Sequence, residues 1–62
     1  MPFRDNLIEK MQERSITNYR LAKDLHIHAT TIQNWKDGWQ PQLSHAKLVA
    51  DYFGVTMDAM TK

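Results

Sequence analysis

Apolar residues along the chain fall in short clusters at helical spacing. Leu7, Ile8 and Met11 stand at i, i+1 and i+4, with Glu9 and Glu13 turned away, which predicts an amphipathic helix from about Phe3 to Glu13. Ser15-Ile16-Thr17 interrupts it. Thr17 is suited to cap a second helix, because its hydroxyl can accept from an orphan N–H of the first turn. Leu21, Ala22 and Leu25 then repeat the earlier spacing, while Arg20, Lys23 and Asp24 stay on the wet side. His26-Ile27-His28 follows out of phase. A third pattern starts near Ala29, carries Ile32 and Trp35 inward, and stops at Asp37-Gly38, where glycine suits the left-handed position that closes a helix. Trp39-Gln40-Pro41 reads as a loop, with Pro41 barring continuation. A fourth helix spans Leu43 to Phe53, its buried face made of Leu43, Ala46, Val49, Ala50 and Phe53. Gly54 ends it, and Thr56 caps a last turn in which Asp58 sits near the positive end. No segment alternates apolar with polar residues over five positions, so strands are not expected. The pattern predicts an all-α fold of four to five short helices.

Size and charge narrow this picture. Sixty-two residues make one domain, 1–62. A chain of that size buries only about 60% of its unfolded surface, so its core is thin. With no cysteine there is no disulfide and no thiolate metal site to reinforce it. No stretch approaches the roughly 20 apolar residues of a membrane helix, and no basic-then-apolar leader opens the chain. A soluble, cytoplasmic protein is expected. The net charge of +1 is low for a nucleic-acid partner, so any such reading rests on where the eight Lys and Arg residues lie and on the fold.

The segment from Thr17 to Trp35 carries the function. Two short helices joined by a tight turn, the second with small polar residues at its start, form a helix-turn-helix, here about residues 17–36. Ala22 is small where the helices cross, and Leu21, Leu25, Ile27, Ile32 and Trp35 fill the wedge between them. The other side of the second helix, with Ala29, Thr30, Gln33 and Asn34, is short and polar, as suits a helix lying in a major groove about 12 Å wide.

The run Ile16-Thr17-Asn18-Tyr19-Arg20-Leu21-Ala22-Lys23-Asp24-Leu25-His26-Ile27-His28-Ala29-Thr30-Thr31-Ile32-Gln33-Asn34-Trp35 resembles the helix-turn-helix of the Cro/repressor (lambda-repressor-like, XRE-type) family of phage and bacterial regulators. Gly38, Pro41, Leu43, Ala46, Val49, Ala50, Phe53, Gly54, Val55 and Thr56 resemble the family's fourth helix and its ending. The resemblance covers about residues 3 to 60. It implies a DNA-binding transcriptional regulator, expected to be a repressor, whose helix 29–36 enters the major groove of a double-stranded operator. His28, Ala29, Thr30, Gln33 and Asn34 would then face base edges; asparagine can pair bidentately with adenine, and threonine or alanine methyls can pack on a thymine methyl. Thr17, Asn18, Arg20, Lys36, Trp39 and Gln40 would hold phosphates, the first two at a helix N-terminus. Three positions depart from the family pattern. His26 stands where glycine is usual, His28 replaces the Ser or Thr cap, and Ala29 replaces a longer polar residue. No arginine lies on the recognition helix. Phosphate attraction should therefore be modest and affinity should lean on dimerisation.

Leu48 and Tyr52 lie at i, i+4 off the core face of the fourth helix, with Met57 and Met60 shortly after. Such a cluster either marks a dimer interface formed by the C-terminal helices, about 43–60, or caps a small core. Trp39 either packs over the third helix or lies exposed at a DNA or protein surface. His26 and His28 lack the further ligands of a metal site, and no Ser/His/carboxylate arrangement or glycine-rich phosphate loop is present. No enzyme activity, cofactor, metal or small-molecule substrate is expected. The rival to operator binding is a protein-interaction module, such as an antitoxin or an accessory regulator subunit. The chain could equally be a domain cut from a longer regulator.

Overall fold

The computed structural model describes residues 2–61. Among them are five helices, α1 (Phe3–Glu13), α2 (Asn18–Leu25), α3 (Ala29–Lys36), α4 (Leu43–Phe53) and α5 (Met57–Thr61). Helix α2 packs on α3 to form the helix-turn-helix; α1 backs α3, α4 meets α2, and α5 folds against both α1 and α4.

The first four helices all end in the same way, which is what makes so short a chain turn so often. Just past each helix lies a residue with positive φ, one position beyond the last helical residue at His26 (59°) and Gly54 (71°) and two positions beyond it at Ser15 (53°) and Gly38 (110°). The N–H after it donates back five residues, from Ile16 to Met11, Ile27 to Ala22, Trp39 to Asn34 and Val55 to Ala50, at 2.9–3.0 Å. These are Schellman closures, in which two otherwise unpaired carbonyls of the last turn are satisfied. The residue making the long bond is apolar every time, and Ile16, Ile27 and Val55 pack on the core. Two of the four left-handed positions carry a Cβ. His26 has φ 59° and ψ 43°, well inside the left-handed region, so it fills the usual glycine place at moderate cost.

The core draws on every helix: Phe3, Leu7 and Met11 from α1, Leu21, Ala22 and Leu25 from α2, Ile32 and Trp35 from α3, Ala46, Val49, Ala50 and Phe53 from α4, and Met60 from α5. Ile8, read as part of the α1 stripe, is only half-buried. Trp35 stands between Phe3, whose ring meets it edge-on at 5.8 Å, and the His45 ring at 5.8 Å. It thereby fixes α3 against α1 and α4. The buried Asn6 side chain donates to the Met60 carbonyl at 2.7 Å, pinning α5 to α1. Arg14 donates to the Phe53 carbonyl at 2.8 Å and lies over the Phe53 ring at 5.1 Å, closing the end of α4.

Two further apolar positions differ from the sequence expectation. Leu43, placed on the buried face of α4, is 74% exposed. Helical side chains lean toward the N-terminus, so a leucine at the first helical position overhangs the helix end instead of facing the core. Met60, expected on a dimer surface, is fully buried, because α5 turns back into the gap between α1 and α4.

Candidate nucleic-acid interface

The start of α2 is capped as the sequence requires: the Arg20 N–H donates to Thr17 Oγ1 at 3.1 Å. The Thr17 hydroxyl is therefore engaged within the chain, and the open donors at this end are first-turn backbone N–H groups. The Asn18 side chain turns sideways onto α3, where its Nδ2 donates to Gln33 Oε1 at 3.0 Å. Its Oδ1 is buried and has no hydrogen-bond partner among the described residues. Arg20 is exposed, and its Nε donates to Asp24 Oδ2 at 3.2 Å one turn on.

At the start of α3, His28 holds the cap position with extended backbone (φ −81°, ψ 142°) but makes no side-chain cap bond. The first-turn N–H groups of α3 are thus left without the side-chain acceptor that Ser or Thr would provide. His28, Ala29, Thr30 and Gln33 are exposed and Asn34 is half-buried. At about 100° per residue, Ala29, Gln33, Thr30 and Asn34 sweep an arc of roughly 140° opposite the buried Ile32 and Trp35. Four of the five residues expected to meet bases thus share one face of α3, and His28 precedes it at the extended cap position. The Asn34 side chain forms no hydrogen bond within the described residues, whereas Gln33 is held at both ends, its Nε2 donating to Asp37 Oδ1 at 3.1 Å. That chain of three side chains was not foreseen; the i, i+4 spacing of Gln33 and Asp37 on one helix was the available signal.

Lys36 is half-buried at the last turn of α3, and Trp39 and Gln40 are exposed directly beyond it. Trp39, left open between packing and exposure, is 68% exposed. Tyr19, assigned no role in the sequence, is 72% exposed beside Asn18. Cations are sparse here: Lys36 is the one lysine or arginine between residues 29 and 42, and Arg20 on α2 is paired with Asp24.

The second candidate surface is broken up. Leu48 remains open, Met57 is half-buried against the core, and Met60 is withdrawn from the surface altogether. Tyr52 is half-buried, its ring edge-on to Phe53 at 5.2 Å, and its hydroxyl donates to Asp24 Oδ2 at 2.6 Å. The same bond holds the Asp24 carboxyl below the usual carboxylate range, with help from Arg20, and raises the Tyr52 phenol against the opposing charge of Arg20. Among the described residues no pocket, no cluster of metal-ligating side chains and no helix long and apolar enough to cross a membrane is found.

A tight two-helix unit with an open polar face on its second helix, braced by an aromatic core behind it, defines a DNA-binding helix-turn-helix domain of the kind used in transcription regulation. Residues 6–58 match the Cro/C1-type HTH DNA-binding domain, and the chain belongs to that family. It is 28% identical over 61 residues to the HTH-type transcriptional activator BcrR of Enterococcus faecalis. The alignment takes in 97% of this chain and 30% of that protein, so the chain spans less than a third of the relative's length. No solved structure matches.

Proposed function

We propose that the chain binds a specific duplex site by setting α3 in the major groove and so regulates transcription. The carrying observation is the open arc of Ala29, Thr30, Gln33 and Asn34 opposite Ile32 and Trp35, preceded by His28. In this reading these five residues meet base edges. Thr17 and Asn18 offer backbone N–H groups to a phosphate, and Arg20, Lys36, Trp39 and Gln40 flank the groove. The domain's longest dimension is 25 Å, less than the roughly 34 Å between successive turns of the major groove, so one copy fills one half-site. Two copies on a palindromic operator supply the affinity that a net charge of +1 does not. Leu48, with the edges of Tyr52 and Met57, is the surface that would join them. The work proposed is binding without chemistry, in the cytoplasm where the DNA is.

A site overlapping a promoter makes such a domain a repressor by occupancy. The Enterococcus faecalis relative is named an activator, and the sign of control depends on where the site lies.

Amide chemical-shift mapping with a short duplex tests the docking. Perturbations centred on residues 17–20, 28–34 and 36–40 are expected. Perturbations absent there, with a protein partner instead engaging Leu48 and its surroundings, would favour the interaction-module reading.

A further inference from the structure

The chain Asn18–Gln33–Asp37 ties the first turn of α2 to the closing residue of α3 through the middle of the open face, by bonds of 3.0 and 3.1 Å. Resting on the DNA reading above, we infer that Asp37, together with Asn18, is a positioning residue that fixes the Gln33 amide to read one A·T pair. Its carboxylate at the same time weakens binding to random duplex.

The amide has a defined capacity: two N–H donors on Nε2 and two lone pairs on Oε1. Asn18 takes one lone pair and Asp37 one N–H, so one donor and one acceptor remain. That is the pair adenine matches with N7 and N6–H in the major groove. A free glutamine would have to order three side-chain torsions on binding; here that ordering is already made. All three side chains border solvent in the free protein, and groove entry excludes water and strengthens both bonds. Asp37 brings a negative charge to the end of a helix that lies among phosphates, and of the cations on α3 and its flanking loop there is only Lys36. The arrangement trades general attraction for a fixed hydrogen-bonding edge.

The test compares base-preference profiles, from selection on a random duplex library, for wild type, Gln33→Ala, Asn18→Ala, Asp37→Ala and Asp37→Asn, each checked for an unchanged helical spectrum. Gln33→Ala and Asp37→Ala are expected to lose preference at the same A·T pair, by about tenfold against the other bases. Asn18→Ala loses part of it. Asp37→Asn keeps an acceptor for Gln33, so it retains the preference while binding random duplex up to about fivefold more tightly. A wild-type profile for Asp37→Ala, loss at a different pair from Gln33→Ala, or loss of the preference in Asp37→Asn would each overturn the inference and leave DNA binding standing. Failure of the wild type to enrich any sequence would overturn the reading on which it rests.

Discussion

Ser15 and His26 show how far a side chain can be asked to adopt a glycine's backbone. Both close a helix at positive φ, 53° and 59°, where a Cβ crowds the following carbonyl. Ser15 is exposed and far from the recognition face in sequence, so Ser15→Gly isolates this strain. It should raise stability by about 1 kcal/mol, moving the thermal midpoint up by roughly 4–8 °C. An unchanged or lower midpoint would refute the strain argument. On the recognition face, Asn34 is the residue whose amide is uncommitted. Asn34→Ala should weaken binding to a selected site by about 1–3 kcal/mol and leave random duplex nearly unaffected, as titration against both would show. Equal loss on both would remove it from base readout.

At the scale of elements, α2 and α4 are clasped by Tyr52, Asp24 and Arg20. Because the folded carboxyl of Asp24 titrates below its ordinary range, chiefly through the Tyr52 hydroxyl, its contribution is present at and above that range. It is lost as pH falls through the lowered value. Tyr52 titrates above its ordinary value, so its share persists below that value and fades only as strongly alkaline pH is reached. The urea midpoint of Tyr52→Phe should therefore fall short of wild type near neutral pH and approach it in acid below pH ~4. A gap that stays constant across that range would mean the hydroxyl is not working through the carboxylate. The helix boundaries themselves were legible in Thr17, Gly38, Gly54 and the i, i+1, i+4 clusters, because capping and periodicity are local. What stayed hidden depended on partners distant in sequence. Asn6 reaches Met60, Arg14 reaches Phe53 and Asp24 reaches Tyr52, and none of these pairings leaves a periodic trace. The burial of Met60 follows from the first of them. The exposure of Leu43 arose from where a helix begins, a detail periodicity does not resolve.

For the whole molecule, the net charge is +1 and Arg14 and Arg20 are engaged in bonds within the chain, so in the proposed reading a second copy supplies affinity that one domain lacks. Leu48 is the part of the expected interface that the fold leaves open. Since it packs little against its own chain, Leu48→Glu should fold normally yet sediment as a monomer and bind a full palindrome no better than one half-site. Retained dimerisation would move the interface elsewhere. The candidate site was readable as a face, in the run His28 to Asn34, because an amphipathic helix declares its outer side. The internal wiring of that face, Asn18 to Gln33 to Asp37, was not, since it needs the crossing of two helices.

Selection of binding sites from a random duplex library at two salt concentrations addresses the central claim most directly. A palindrome with half-sites about ten base pairs apart should emerge, with affinity falling as salt rises. No enriched sequence at either salt, with binding that disappears at physiological ionic strength, would contradict specific operator binding.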